Sequence, residues 1–246
     1  KSHREWGLST YIEALKEAID VVLEVTGSKD LSMLGACSGG ITTASLLGHY
    51  AALKEKKVHS YTLLVSVLDT ELKTQVALFA DERSIEAARR MSYQSGVLEG
   101  RDMARIFAWM RPNDLIWNYV VRNYLLGEDH TAFDLLHWNG DVTNLPARWH
   151  RNYLQDLYRD NLLVKPGKLA ALGEAIDLTK VEVPTYIQAG KDDHIAPVTS
   201  VWKLTEHFTG PTRFVLAGSG HIAGVVNPPA AGKYQYWTNT GSPRTL

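Results

Sequence analysis

The sequence predicts a parallel α/β sheet that is interrupted by a large helical insertion. Strand, helix and strand patterns follow one another within residues 31–68, and the same alternation returns within residues 183–217. Between them, about residues 69–168 hold mostly helical patterns and many aromatic residues. Strands that alternate with helices at this spacing are typical of parallel sheets. We therefore expect one α/β domain over residues 1–246, with a helical insertion at about residues 69–168.

The first half of the sheet is predicted from local patterns. A helix is expected over about residues 10–25, where Thr10 and Glu13 have the spacing of a capping box and Gly27 marks the end. Residues 31–34 predict a short buried strand, and residues 41–53 predict a helix. Residues 61–68 are apolar almost throughout, as expected for a strand that is covered on both faces.

The second half follows the insertion. The segment VPTYIQAG predicts a strand, VTSVWKLTEHF a helix and TRFVLAGSG another strand, whereas the C-terminal segment NPPAAGKYQYWTNTGSPRTL is expected to be mostly irregular. Only about thirty residues precede the glycine turn at residues 35–40. An α/β sheet with such a turn normally has several strands before it, so we expect the early strands of the sheet to be lacking from this chain.

Composition excludes several function classes. Of the 246 residues, 45% are hydrophobic and 22% are charged, and the formal net charge of −1 gives no general attraction to nucleic acid or anionic membranes. No apolar run is long enough for a membrane span, and Cys37 is the only cysteine. The nine histidines show no metal-binding spacing such as H-E-x-x-H. We expect a cytoplasmic protein without a metal site.

The segment GACSGG at residues 35–40 places Cys37 where enzymes of the α/β-hydrolase fold carry a nucleophile on a sharp strand-to-helix turn. Gly35, Gly39 and Gly40 would allow this strained turn and a close approach of the helix to the strand. The positive end of the following helix would favour a thiolate. Taken alone, a single cysteine is more often a small apolar core residue.

Asp193 and His221 are the candidate partners of this cysteine. They follow Cys37 in the order nucleophile, acid, histidine that α/β hydrolases use, and each comes after a predicted strand, where parallel sheets place their sites. Taken alone, Asp193 could cap the segment after Pro197, and His221 could be a structural loop residue. His194 could tune the site, bind substrate or simply pack.

Five segments carry a family resemblance: LGACSGG, FAWMRPNDLIWNYVVRNYLLG, FDLLHWNGDVTNLP, KDDHIAP and GSGHIAGVVNPP. They resemble the polyhydroxyalkanoate synthases, the polyester-forming enzymes of bacterial storage granules. The similarity runs from residue 6 to about residue 237 and implies an α/β-hydrolase fold with a helical cap insertion. It places the catalytic residues of that family on Cys37, Asp193 and His221, whereas Asp192 lies where family members vary. The family also has an upstream N-terminal region that is absent here.

The resemblance implies an (R)-3-hydroxyacyl-coenzyme A substrate and no separate cofactor. Cys37, deprotonated by His221, would attack the thioester, release coenzyme A and form an acyl-cysteine. The hydroxyl of another unit would then attack this intermediate, activated by either Asp193 or His221. The backbone N–H of Ser38 would be one oxyanion donor. The implied partners are the growing polyester chain, the granule surface and a second subunit in a homodimer, with no nucleic acid.

Two rival functions remain open. A thioesterase or a polyester depolymerase would share the sharp turn at Cys37 (the elbow), the order of the three candidate residues and the cap. Only the family motifs favour a synthase. A non-catalytic granule-binding or dimerisation partner is the other rival, although an intact set of Cys37, Asp193 and His221 argues against it. Preference for short-chain or medium-chain monomers also stays open, because the N-terminal segment is similar to medium-chain synthases and GSGHIAGVVNPP to short-chain ones.

Overall fold

The computed structural model describes residues 2–72, 81–110, 112–129, 140–239 and 241. Part of the motif FDLLHWNGDVTNLP and the last residues of the C-terminal tail lie outside this set. The chain divides into two compact units: residues 1–6 with 86–151, and residues 7–85 with 152–246. The second, larger unit contains the main sheet and all the predicted catalytic residues.

The described part of the chain contains α-helices, π-helical segments and β-strands. In order they are α1 (Leu8–Thr26), β1 (Leu31–Ala36), α2 (Gly39–Leu53), β2 (Val58–Leu64), α3 (Glu82–Ser95), β3 (Val97–Leu98), α4 (Gly100–Met110), two π-helical segments (Asn113–Trp117 and Val120–Leu125), β4 (Leu145–Pro146), α5 (Ala147–Arg151), a third π-helical segment (Asn152–Arg159), β5 (Leu169–Ala171), β6 (Glu174–Ile176), β7 (Thr185–Gly190), α6 (Val198–Trp202), β8 (Thr212–Ala217), α7 (Ala223–Val226) and β9 (Tyr236–Thr238).

The main sheet has the strand order β1-β2-β7-β8-β9. The first four of these strands are parallel, and β9 pairs antiparallel with β8. The predicted parallel sheet is thus confirmed for its central strands. The C-terminal segment is mostly irregular over its described residues, as predicted, and residues 236–238 are an exception because they pair with β8 as a strand.

Helix α2 is buried over most of its length and lies against β1. On its other sides it contacts α1 and the hairpin formed by β5 and β6. A helix that is packed all round cannot shift without disturbing several neighbours. Its first turn, which follows Cys37, is therefore held firmly.

The start of α1 differs from the prediction. The helix begins at Leu8, and the Thr10 hydroxyl accepts a hydrogen bond from the Gly7 N–H at 3.3 Å, so Thr10 lies inside the first turn rather than before it. The predicted box of Thr10 with Glu13 is therefore wrong. The predicted end is confirmed, because Gly27 takes the left-handed conformation with φ 66°.

The end of β2 also differs from the prediction. The strand stops at Leu64, four residues before the predicted end, because Val65 has φ 46°. A β-branched residue rarely adopts this left-handed conformation, which takes the chain out of the extended path of a strand. Val65 is buried, and its N–H donates to the Gln188 carbonyl at 2.9 Å.

The smaller unit contains residues 86–95 of α3, together with α4, the first two π-helical segments, the β3–β4 pair and α5. Its buried polar contact joins His150 Nδ1 and the Ser92 hydroxyl at 3.0 Å, and burial lowers the His150 pKa to about 4. Many large apolar side chains in the aromatic-rich segment at residues 107–127 are exposed, including Trp109 and Tyr124 at 62% and 83%. None of the helices in the described part of the chain has the length and apolar character needed to cross a bilayer.

Candidate active site

Cys37 occupies a sharp turn between β1 and α2. Its φ of 50° places a non-glycine residue in the left-handed region, and its N–H donates to the Leu64 carbonyl at 2.8 Å. Such a conformation is unfavourable for an L-residue and persists only where the surroundings impose it. The residue as a whole is partly exposed. The turn therefore presents sulfur at the carboxyl end of β1.

Two of the three glycines around Cys37 are required by close packing. A Cβ on Gly35 would lie 2.8 Å from Gly40 Cα, and a Cβ on Gly40 would lie 2.7 Å from Ser66 Cβ. Gly39 is different, because a Cβ there would meet no atom within 4 Å. The close approach of helix and strand thus depends on Gly35 and Gly40 alone.

Asp193 and His221 lie together at the carboxyl ends of β7 and β8. His221 Nδ1 is 2.7 Å from Asp193 Oδ2, and Asp193 is buried whereas Asp192 is exposed. The other carboxylate oxygen, Oδ1, accepts hydrogen bonds from the N–H groups of residues 195 and 196 at 2.9 and 2.8 Å. Asp193 thus orders its own loop with one oxygen and contacts the histidine with the other.

The loops of Asp193 and His221 are bonded to each other through the backbone. The Asp192 N–H donates to the Ser219 carbonyl at 3.1 Å, and the Lys191 N–H donates to the Ala217 carbonyl at 2.8 Å. Gly190 allows this approach, since a Cβ there would lie 2.7 Å from the Ser219 oxygen. The short distance between the acid and the histidine is therefore supported by main-chain contacts.

His221 also interacts electrostatically with Cys37. Burial alone lowers the His221 pKa, but the interactions with Asp193 and Cys37 outweigh it and raise the pKa to about 9. The imidazole is thus held as a cation between a carboxylate and the sulfur. A protonated imidazole of this kind can act as a general acid.

Tyr153 is a site residue that the sequence analysis missed. It lies in the third π-helical segment and interacts electrostatically with Cys37. Burial raises the pKa of its hydroxyl, so that this group stays protonated and can act as a donor. No local motif marks this tyrosine, because its interaction with Cys37 depends on the tertiary fold.

Two other predicted residues lie beside the site. Ser38 is exposed at the start of α2, where a helix leaves N–H groups without intrahelical partners. His194 is half-buried directly after Asp193. Among the described residues, no three His, Cys, Asp or Glu side chains are grouped so that they could hold a metal ion.

Two further Asp–His pairs lie in the larger unit but lack the features of a reactive centre. His59 is 2.8 Å from Asp30 and 3.0 Å from the Ser32 hydroxyl, but it is exposed at the amino ends of β1 and β2. Parallel sheets place their sites at the opposite ends. His207 is 2.8 Å from Asp69, whose carboxylate also orders the chain where it leaves β2. Both pairs are best explained as structural.

Comparison with known proteins shows the fold family of this chain and the enzymes to which it is similar. A family model for the alpha/beta hydrolase fold matches residues 1–228. The chain is 56% identical over 243 residues to poly(3-hydroxyalkanoate) polymerase 1 of Ectopseudomonas oleovorans, covering 99% of this chain and 43% of that protein. It is 42% identical over 242 residues to the poly(3-hydroxyalkanoate) polymerase subunit PhaC of Cupriavidus necator, covering 96% of this chain and 41% of that protein.

Among solved structures, BpoC of Mycobacterium tuberculosis aligns with a TM-score of 0.51 at 15% identity, covering 92% of this chain and 71% of that one. At this identity the likeness concerns the fold alone. The chain spans about two fifths of the length of the two curated relatives. The predicted α/β-hydrolase fold and the predicted resemblance to polyhydroxyalkanoate synthases are both confirmed.

Proposed function

Because this chain belongs to the α/β-hydrolase fold family, and because its curated relatives are poly(3-hydroxyalkanoate) polymerases, we propose that it is an acyltransferase. It polymerises (R)-3-hydroxyacyl groups from coenzyme A thioesters and needs no further cofactor. Cys37 is the nucleophile, His221 the acid and base, and Asp193 the residue that orients His221. The observation that carries this chemistry is the interaction of His221 with both Asp193 and Cys37, with its pKa raised to about 9.

The first step is acyl transfer to sulfur. The Cys37 thiolate attacks the thioester carbonyl, the bond from carbon to the coenzyme A sulfur breaks, and an acyl-cysteine forms. The loss of the negative charge on Cys37 removes one of the interactions that raise the His221 pKa. His221 can then release its proton to the departing coenzyme A thiolate and become neutral.

The second step extends the polyester. Neutral His221 takes the proton from the hydroxyl of a second 3-hydroxyacyl unit, and that oxygen attacks the acyl-cysteine carbonyl. An ester bond forms, the bond from carbon to Sγ breaks, and Cys37 leaves as a thiolate beside protonated His221. Asp193 is less suited to be the base, because both of its oxygens already accept hydrogen bonds.

Sulfur at the elbow suits this second step. An acyl-cysteine is a thioester, which transfers its acyl group to an alcohol more readily than the oxygen ester that serine would form. The developing oxyanion needs hydrogen-bond donors, and the Ser38 N–H at the start of α2 is one candidate. The Tyr153 hydroxyl, which interacts with Cys37, is a second candidate donor in this region.

The distinguishing experiment compares products. Incubation with 3-hydroxybutyryl-coenzyme A should release free thiol and accumulate insoluble polyester. Release of free hydroxy acid without polymer would instead show a thioesterase, the rival function on the same fold. The Cys37→Ala variant is the control, since unchanged thiol release by that variant would overturn the acyl-cysteine mechanism. Mass spectrometry of the trapped protein should locate the acyl group on Cys37, the only cysteine.

Three further expectations belong to this proposal. The chain acts at the surface of polyester granules in the cytoplasm, it forms a homodimer, and it binds no nucleic acid. The near-neutral net charge of −1 supports the last expectation. His194, next to Asp193, is proposed as a supporting residue of the site.

A further inference from the structure

The turn that carries His221 contains a carbonyl that its own helix cannot pair. Residues 220–227 form a short helical turn, in which the Gly224 N–H donates to the Gly220 carbonyl at 3.3 Å. The Gly224 carbonyl would normally accept from the N–H four residues later, but that residue is Pro228, which has no N–H. A carbonyl left unpaired in this partly buried turn would be unfavourable.

Gln188 supplies the missing donor. Its side-chain Nε2 donates a hydrogen bond to the Gly224 carbonyl. Gln188 is buried in β7, the middle strand of the sheet, between Ile187 and Ala189, which are both fully buried. A buried amide in an apolar strand is unfavourable unless it is hydrogen-bonded. The two polar groups thus satisfy each other.

The main chain of Gln188 contacts the opposite side of the site. Its carbonyl accepts the Val65 N–H at 2.9 Å, and Val65 follows Leu64, whose carbonyl holds the Cys37 N–H. One residue of the central strand therefore bonds to the chain next to the elbow with its backbone and to the histidine turn with its side chain. Gly224 fits tightly in this place, because a Cβ there would lie 2.8 Å from the Ser219 hydroxyl.

We propose that Gln188 is a positioning residue that fixes the His221 turn relative to Cys37, an inference that rests on the proposed function. The hydrogen bond of Gln188 to Gly224, three residues beyond the histidine, limits rotation of the turn. Asp193 orients the imidazole ring, whereas Gln188 locates the backbone from which the ring projects. Small displacements of a catalytic group have large effects on rate.

The test uses Cys37 as its own probe, since the full chain contains no other thiol. The rate of alkylation by iodoacetamide is measured between pH 5 and pH 10 (about 0.5 pH steps), because only the thiolate reacts and the profile therefore reports how His221 acts on the sulfur. Gln188→Met removes the amide donor at similar size, and Gln188→Glu places a carboxylate against the Gly224 carbonyl. His221→Ala gives the profile expected without the histidine.

The matched control is Thr185→Val on the same strand. Thr185 is buried, and its hydroxyl donates to the Val183 carbonyl at 2.8 Å, at the end of β7 away from the site. Thermal unfolding of every variant measures the loss of stability separately. Any general loosening of β7 should appear in the control as well as in the Gln188 variants.

Gln188→Met should alkylate about tenfold more slowly than the wild type near pH 7, with a profile shifted toward that of His221→Ala. Gln188→Glu should be slowed at least as much, and Thr185→Val should keep the wild-type profile. A wild-type profile in both Gln188 variants would overturn the proposal, as would an equal shift in the control. Alkylation needs no polymerase activity, so failure of the proposed function would show only in the assay with hydroxyacyl-coenzyme A.

Discussion

The Cys37 N–H donates to the Leu64 carbonyl at 2.8 Å, so the turn that carries Cys37 is bonded to the end of the neighbouring strand. This bond helps to hold Cys37 at φ 50°, a conformation that its own side chain disfavours. The position of the sulfur is therefore imposed by the sheet.

The strain at Cys37 predicts a stability difference between two inactive variants. Cys37→Gly should be more stable than Cys37→Ala by about 0.5–1 kcal/mol, because glycine adopts positive φ without strain and this gain exceeds its larger entropy loss. Urea unfolding at equilibrium measures the difference. Equal stability of the two variants would show that position 37 is not strained.

Glycine packing predicts opposite effects at adjacent positions. Gly40→Ala should destabilise the protein by about 2 kcal/mol or more, because its Cβ would overlap Ser66. Gly39→Ala should be neutral or stabilising by up to about 1 kcal/mol, because the position is open and helical. Unfolding free energies of both variants test this, and a large loss at Gly39 would contradict it.

Neutralising the buried carboxylate should reduce acyl transfer. Asp193→Asn keeps an oxygen for the loop N–H groups but removes the charge that orients and stabilises protonated His221, so thiol release should fall about 10²–10⁴-fold. Asp192→Asn is the matched control and should remain within about twofold, since Asp192 is exposed. A comparable loss at Asp192 would mean that the acid has been misassigned.

Removal of the Tyr153 hydroxyl tests the candidate donor that no sequence motif indicates. Tyr153→Phe should slow the acylation of Cys37 about tenfold while keeping the aromatic ring, because it removes a protonated donor near the sulfur. Tyr186→Phe on β7 is the control and should leave the rate unchanged. Stopped-flow measurement of the first turnover isolates acylation, and an unaltered rate in Tyr153→Phe would exclude a role for this hydroxyl.

The raised His221 pKa predicts a pH-dependent stability. A pKa raised in the folded state, from 6.5 to about 9, means that protonation favours folding. The stabilisation is complete below pH 6.5 and is lost as the pH rises through about 9, and it amounts to at most about 3 kcal/mol. The unfolding free energy of the wild type should therefore fall more over this range than that of His221→Asn. Parallel curves would refute the prediction.

The sequence was most informative where a local pattern determines geometry. The elbow at Cys37, the order of the three candidate residues and the strands β7 and β8 all follow from short motifs. The early end of β2 at Val65 and the pairing of β9 depend on contacts with distant strands, and no local pattern reports them. The electrostatic interaction of Tyr153 with Cys37 was unpredictable for the same reason.

The exposure of Leu34 on β1 has a practical consequence. This side chain lies three residues before Cys37 and is 57% exposed. An exposed apolar side chain away from special features can be replaced by a polar one at little cost in stability. Leu34→Thr should therefore change the unfolding free energy by at most about 0.5 kcal/mol, so the strand that leads to Cys37 can be made more polar without loss of the fold.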